Sequence, residues 1–244
     1  MQSIRNIAII AHVDHGKTTL VDKIIHACQA LDDRKETGEL ILDNNDLERE
    51  RGITILSKNV SVTYKDVKIN IIDTPGLDDF VGEVICSLKV ADTGVMLLNA
   101  KSGVEVGTEL IWDYIDEFHT PAIFVVNQVD HEKADFQATV DQATARFGNK
   151  VMPFQFPLNS GQGFNQIVDA LRMVMYEFSE GGGKPEKKPI PESVIGRAQE
   201  MHNAIVEAAA ENDEALMEKF FDEGSLTEEE LTQGLRIAIS HQEL

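Results

Sequence analysis

The strongest chemical signal is a short polar stretch that follows the apolar run IAII. The stretch AHVDHGKTT covers residues 11–19 and fits a phosphate-binding loop in which alanine stands at the usual first glycine. Backbone amides of such a loop, with the positive end of the helix that follows, surround a β-phosphate. The predicted nucleotide-binding residues of the loop are Ala11, His12, Val13, Asp14, His15, Gly16, Lys17, Thr18 and Thr19.

Three of these residues have distinct roles in phosphate chemistry. Gly16 lets the backbone approach the phosphates closely, and Lys17 can place its ammonium between the β- and γ-phosphates. The hydroxyl of Thr18 is a predicted magnesium ligand. His12 and His15 have an H-x-x-H spacing, but they lie in a loop rather than on one helix face, so the spacing does not favour a metal site.

A second motif, DTPG, covers residues 73–76 directly after another apolar run. A carboxylate at Asp73 can hold magnesium through water, and the amide of Gly76 can meet a γ-phosphate. DTPG alone is also a plausible turn. Downstream of a phosphate loop, the motif favours the nucleotide site.

A third motif, NQVD, covers residues 127–130 at the end of a further apolar run. The carboxylate of Asp130 can accept two hydrogen bonds from the N1 and N2 edge of guanine, which adenine does not offer. A wrong base would leave polar groups of the site without hydrogen-bond partners, so such a site discriminates strongly against it. Asn127, Gln128 and Asp130 are therefore predicted to bind guanine.

Between the first two motifs lies NDLERERGITI, residues 45–55. A run of charged residues such as this one usually forms a solvent-exposed loop. Thr54, however, stands where a switch threonine can contact magnesium and the γ-phosphate, which would order the loop only with GTP bound. The predicted metal ligands are thus Thr18, Thr54 and Asp73.

The elements that must position these motifs follow from hydrophobic patterning. Residues 4–11, 68–73, 94–99 and 121–127 are mostly apolar with little alternation, which is typical of strands buried on both faces of a parallel sheet. Residues 105–119 have the periodicity of an amphipathic helix. The alternation predicts an α/β fold with a doubly wound, mostly parallel sheet, and the phosphate loop after the first strand makes it P-loop NTPase-type. Residues 60–64 and 68–72 predict an antiparallel hairpin at one edge.

The composition changes at residues 179–191, where SEGGGKPEKKPIP indicates a flexible connector. Residues 192–244 predict a small acidic helical subdomain, in which Thr227 and Glu230 form a capping box. From Pro185 onward there are 14 acidic and 5 basic residues, so 14 − 5 = 9 of the net negative charges lie there. Residues 1–178 are then the predicted nucleotide-binding core.

Composition narrows the class of protein. The 244 residues carry a net charge of -20, which argues against direct, unaided wrapping of nucleic acid. We also expect no direct sequence-specific binding of nucleic acid. Two cysteines, Cys28 and Cys86, provide no disulfide framework. No apolar run reaches the length of a membrane span, and the first residues do not resemble a signal peptide. We expect a cytoplasmic protein with no membrane partner.

Together, AHVDHGKTT, ERERGITI, DTPG and NQVD resemble the G domain of a ribosome-associated translational GTPase. Residues 1–76 resemble the TypA/BipA branch, and residues 77–244 resemble an elongation factor G of a divergent paralogue type. This mosaic fits a natural recombinant and a constructed chimera equally. The resemblance implies GTP and GDP as ligands, Mg²⁺ as cofactor, and the ribosome as partner. It further implies that the acidic helices correspond to an insertion that contacts the ribosomal stalk protein.

Several positions depart from the pattern of that family. Leu77 replaces the family histidine that positions the attacking water, so we expect impaired hydrolysis and assign no catalytic residue. Gln128 replaces a lysine that braces the phosphate loop, so we expect weaker guanine affinity. The family's final strand, its loop behind the guanine and its last helix have no counterpart in these 244 residues. Asp14 resembles a family aspartate that helps hold a monovalent cation, with a loop-capping role as the alternative.

Two functions remain open from the sequence, and a third possibility is a domain too incomplete to bind nucleotide tightly. The first is a magnesium-dependent G domain with weak or absent GTP hydrolysis. The second is a non-hydrolysing, nucleotide-dependent binding module or scaffold that docks on the ribosomal stalk.

Overall fold

The computed structural model describes residues 3–29, 54, 56–76, 80–179 and 183–241. Contacts divide the chain into two compact units, Met1–Gln128 and Val129–Leu244.

The first unit is an α/β unit built on a five-stranded sheet in the order β2-β3-β1-β4-β5. Its strands are β1 (Ser3–Ile10), β2 (Lys58–Tyr64), β3 (Val67–Asp73), β4 (Thr93–Asn99) and β5 (Ala122–Asn127). Its described helices are α1 (Lys17–Gln29), α2 (Val81–Leu88) and α3 (Val106–Glu117).

Strand pairing in this sheet brings the predicted motifs to one edge. β1 is parallel to β3 and β4, and β4 is parallel to β5. Ile9 pairs with Asp73, and Asn99 pairs with Asn127, so the loops after these strands leave the sheet at the same end. β2 is antiparallel to β3, which confirms the predicted hairpin. The predicted mostly parallel α/β sheet is confirmed.

A hydrophobic core fixes α1 against the sheet. Val21 and Ile25 of the helix pack in one cluster with Ile9, Ile71 and Leu97 of the strands. All five side chains are almost fully buried. Because this core holds β1 and α1 in place, the loop that joins them is anchored at both ends.

The second unit combines helices with a small antiparallel sheet in the order β6-β7-β8-β9. Its strands are β6 (Gln155–Pro157), β7 (Gln166–Asp169), β8 (Val174–Glu177) and β9 (Glu186–Lys188). Its helices are α4 (Phe136–Phe147), α5 (Glu192–Ala210), α6 (Glu214–Glu223) and α7 (Glu228–Ser240).

This second sheet is absent from the sequence prediction. Its strands are three or four residues long, too short for an alternation pattern to be recognised. β9 lies inside residues 179–191, the predicted connector, and pairs with β8 through the backbone. Backbone pairing needs no apolar side chains, so composition carries no sign of it.

The three final helices match the helical pattern predicted after residue 191. The capping box at the start of α7 is confirmed, since the Thr227 side chain accepts from the Glu230 amide and the Glu230 carboxylate accepts from the Thr227 amide. α5 and α7 pack closely at Gly234, where a Cβ atom would collide with the backbone carbonyl of Ala209. Within the described parts of the chain, every helix is too short or too polar to cross a membrane.

Candidate functional site

The phosphate loop leaves β1 at Ala11 and enters α1 at Lys17. Asp14 has φ 62° and Gly16 has φ 87°, so the backbone turns twice through the left-handed region. A Cβ atom at Gly16 would lie 2.7 Å from the side-chain nitrogen of Asn127, which leaves room only for glycine. Ala11 and His15 are buried, His12, Val13 and Thr18 are half-buried, and Asp14 and Thr19 are exposed.

Lys17 lies folded against its own loop. Its Nζ donates to the carbonyl oxygen of Ala11 at 2.8 Å and to that of His12 at 3.0 Å. Burial lowers the pKa of Lys17 to about 8, although the negative charges of Asp73 and Asp14 oppose the shift. The ammonium is therefore held inside the loop, at the place where phosphate oxygens would replace the carbonyls.

The three predicted metal ligands converge beside this loop. The Thr18 hydroxyl donates to Oδ2 of Asp73 at 3.1 Å, and it lies 3.2 Å from the Thr54 hydroxyl. Asp73 is fully buried, and Thr54 is nearly so. These side chains are 36 and 55 residues apart in sequence from Thr18, so only the fold brings them together.

This donor set fits Mg²⁺ bound together with phosphates. Magnesium prefers oxygen ligands and is commonly held by one or two protein groups plus phosphate oxygens and water. In the part of the chain that the structure describes, no group of three or more His, Cys, Asp or Glu side chains could hold a metal by itself. One carboxylate and two hydroxyls from the protein are consistent with a metal site whose remaining ligands come from a nucleotide and water.

Gly76 also lies against the phosphate loop. A Cβ atom at this position would approach Nζ of Lys17 and come within 3.2 Å of the Ala11 carbonyl and the Val13 amide. The backbone amide after DTP is thus free to sit close to the loop because residue 76 has no side chain. Leu77, at the family histidine position, lies outside the described residues.

Asn127 and Gln128 brace the phosphate loop from the end of β5. Nδ2 of Asn127 donates to the His15 carbonyl at 2.8 Å, and Nε2 of Gln128 donates to the Asp14 carbonyl at 2.8 Å. Oε1 of Gln128 accepts from Asn99 at 3.0 Å. Gln128 therefore makes a bracing contact of the kind that the resemblance assigns to lysine, with an amide in place of a charge.

Asp130 belongs to the second unit, where it lies exposed in a turn. The preceding carbonyl, of Val129, accepts from the Gly161 amide at 2.7 Å. This bond ties the Asp130 turn to the PLNSGQGF loop, residues 157–164. The guanine contact of Asp130 remains a prediction from the NQVD motif.

His15 has contacts that sequence reasoning missed. Its ring is 1% exposed, with Nδ1 3.0 Å from the Leu97 carbonyl and Nε2 2.5 Å from Oε2 of Glu105. Glu105 is 90 residues away and follows no motif, so no local signal connects the two. The His12 ring lies edge-on to the His15 ring at 5.8 Å.

Comparison with known proteins identifies the family. The model of the elongation factor Tu GTP binding domain matches residues 2–235. The chain belongs to this family.

Relatives of this GTP binding domain include longer proteins. It is 35% identical over 246 residues to elongation factor G of Mycoplasma genitalium, an alignment that covers 99% of this chain and 36% of that protein. A crystal structure of a protein from Thermus thermophilus matches with a TM-score of 0.88 at 25% identity, covering 99% of this chain and 36% of that one. This GTP binding domain thus spans 36% of the length of each relative.

Proposed function

We propose that this chain is the guanine-nucleotide-binding G domain of an elongation-factor-like translational GTPase that binds GTP and GDP with Mg²⁺. The observation that carries the proposal is the convergence of Thr18, Thr54 and Asp73 beside the phosphate loop. Three motifs separated in sequence supply these groups, and each group has the chemistry that a metal-bound triphosphate needs.

Different side chains have different roles in binding the nucleotide and its metal ion. Lys17 carries the positive charge for the β- and γ-phosphates, and the loop amides from Asp14 to Thr18 donate to phosphate oxygens. Thr18, Asp73 and Thr54 would hold the Mg²⁺, with Thr18 as a direct ligand, Asp73 acting through water, and Thr54 contributing when a γ-phosphate is bound. Bound Mg²⁺ neutralises charge on the β- and γ-oxygens.

Base selection is assigned to the NQVD motif. Asp130 accepts from N1 and N2 of guanine, while Asn127 and Gln128 keep the phosphate loop in its binding conformation. The amide contacts of these two residues with the loop support this division. Asp14, exposed at the apex of the loop, is proposed to help hold a monovalent cation or to cap the loop.

Hydrolysis is proposed to be weak because Leu77 stands where the family has histidine. Leucine can neither orient a water molecule nor accept its proton. A missing water-positioning group costs on the order of 10²–10⁴ in rate.

Leu77 equally favours a second candidate, a nucleotide-dependent binding module that does not hydrolyse GTP. Such a module would dock on the ribosomal stalk through its acidic helices, α5 to α7. The chain spans 36% of the length of its relatives, and for it we propose a ribosomal partner and a cytoplasmic location. From the sequences of the motifs alone, we propose that the chain is a mosaic of a TypA/BipA-like first part and an elongation factor G-like second part.

Nucleotide competition tests the proposed function. Fluorescent GDP is titrated onto the protein with Mg²⁺ present, and GTP, GDP, ATP and ADP are added as separate competitors. We expect displacement by the guanine nucleotides and none by the adenine nucleotides. Displacement by ATP as effective as that by GTP would overturn the assignment of a guanine site.

A pair of glycine variants provides a matched control for this titration. Gly16→Ala should abolish binding because the new Cβ atom meets Asn127 in a loop with positive φ. Gly148→Ala imposes a similar strain, at φ 90°, but nothing lies within 4 Å of its Cβ position. GDP affinity should therefore survive Gly148→Ala. Equal loss in both variants would mean that strain in the fold, and not the loop, explains the effect.

Hydrolysis in the presence of ribosomes separates the two candidates. Multiple turnover would support the enzyme, whereas stable retention of GTP would support the binding module.

A further inference from the structure

We propose that Glu105 is a positioning residue for the phosphate loop, which it holds through His15. The inference rests on the proposed nucleotide binding and adds a residue from outside the four motifs. Glu105 lies between β4 and α3, and it reaches a ring that is 1% exposed.

The geometry defines the hydrogen bonds of this pair. A backbone carbonyl only accepts, so the contact with Leu97 at 3.0 Å requires a hydrogen on Nδ1 of His15. The contact between Nε2 and Oε2 of Glu105 at 2.5 Å requires a second hydrogen between the two atoms. The ring is therefore held at both nitrogens, by the Leu97 carbonyl at Nδ1 and by the Glu105 carboxyl group at Nε2.

Glu105 makes this contact instead of a local one. It is the N-cap residue of α3, with φ −110° and ψ 163°, yet its side chain caps no amide of its helix. Ser, Thr, Asp and Asn are the residues that normally fill this position. The side chain of glutamate is longer than those of the usual N-cap residues, so its carboxylate reaches His15. The backbone at the start of α3 holds the base of this side chain in place.

The effect on the loop follows from where His15 lies. It lies between Asp14 and Gly16, both of which have positive φ, in the segment whose amides would face phosphates. Its backbone carbonyl is already fixed by Asn127, and its ring is fixed by Leu97 and Glu105. Without Glu105, the ring loses one of its two anchors and the neighbouring peptides gain freedom to turn away from the phosphates.

The test compares three variants by the rate at which fluorescent GDP dissociates. Glu105→Ala removes the acceptor, Glu105→Gln keeps an acceptor oxygen without the charge, and Asp113→Ala removes an exposed carboxylate from the same helix. Loss of a hydrogen bond to a charged group predicts about tenfold faster dissociation for Glu105→Ala. Glu105→Gln should restore most of the retention, and Asp113→Ala should match the wild type.

Nitrogen NMR of the His15 ring gives a readout that is independent of nucleotide. The Nε2 signal should differ between the wild-type protein and Glu105→Ala, because Nε2 loses its hydrogen-bond partner. The Nδ1 signal should stay close to that of the wild type, because the Leu97 carbonyl remains. An Nε2 signal that is identical in the two proteins would overturn the proposed pair.

The outcomes separate this inference from the proposed function. If the wild-type protein binds no GDP, the proposed function fails. If it binds GDP and Glu105→Ala releases it at the wild-type rate, the positioning role alone is overturned. Faster release from Asp113→Ala to the same extent would likewise overturn it, because the effect would then be general to the helix.

Discussion

At the residue scale, Lys17 links nucleotide binding to pH. Burial lowers the pKa of Lys17 to about 8 in the protein without nucleotide, and bound phosphates would raise it by favouring the charged form. Binding should therefore take up a proton above that pH and none well below it. GDP affinity should fall as pH rises through the pKa of Lys17.

Calorimetry in buffers of different ionisation enthalpy measures this uptake directly. About one unit above the Lys17 pKa we expect nearly one proton per GDP, and about one unit below it almost none from this group. Lys23→Ala, which removes an exposed lysine of the same helix, should leave the uptake unchanged. Uptake that does not depend on pH would contradict the role of Lys17.

Leu77 offers a gain-of-function prediction. Leu77→His should raise the GTP hydrolysis rate because an imidazole can orient water and accept a proton, with an expected gain of about 10²-fold or more. GDP affinity should not improve. Leu77→Ala is the matched control, since it removes the leucine without adding a base. An unchanged rate in Leu77→His, measured by phosphate release, would show that another feature limits hydrolysis.

Asp130 carries the prediction for base recognition. Asp130→Asn replaces one acceptor oxygen with a donor, so guanine N1 and N2 can no longer both be matched. GDP affinity should drop on the order of 10-fold to 100-fold. Glu132→Gln changes an exposed acidic residue two positions away and should bind as the wild type does. GDP affinity equal to wild type in Asp130→Asn would remove the base-recognition argument.

At the element scale, the contact of α5 with α7 depends on a missing side chain. Gly234→Ala pushes a Cβ atom into the Ala209 carbonyl and should cost about 1–3 kcal/mol of stability in the second unit. Gly196→Ala, in α5, places its Cβ in open space and should stabilise the helix by about 0.5–1 kcal/mol. Hydrogen exchange of the α5 and α7 amides measures both effects. Equal protection in the two variants would contradict the close packing.

Long apolar elements were predictable from the sequence because burial on both faces leaves a continuous signal. The strands around the phosphate loop and DTPG were predicted within two residues of their observed bounds. Glu230 and Thr227 were predictable because a capping box is local in sequence. Strands β6 to β9 were not, since three or four residues carry too little pattern.

The candidate site was predictable where a motif fixes the chemistry. Thr18, Thr54 and Asp73 were each assigned from a motif, and the structure brings their side chains together. The contact between His15 and Glu105 could not be predicted, because it joins residues of different elements that no spacing rule relates. Tertiary contacts of this kind can be identified only from the three-dimensional structure.

At the scale of the whole molecule, negative charge is a property of both units. Residues 1–128 carry 12 basic and 21 acidic side chains, 12 − 21 = -9, and residues 129–244 carry 10 basic and 21 acidic side chains, 10 − 21 = -11, which together give -20. A polyanionic ligand such as GTP therefore meets a protein of like charge, and local groups must outweigh the long-range repulsion. Lys17, the loop amides and Mg²⁺ are the groups proposed to do so.

Thr18 and Asp73 are proposed to hold one metal ion together with the nucleotide. The direct measurement is Mn²⁺ binding, followed by electron paramagnetic resonance with GDP present and Mn²⁺ standing in for Mg²⁺. We predict one Mn²⁺ per chain in the wild type and in Thr63→Ala, an exposed threonine of β2. Thr18→Ala should weaken Mn²⁺ binding on the order of tenfold or more. Equal Mn²⁺ uptake by Thr18→Ala and the wild type would contradict a metal site at Thr18 and Asp73.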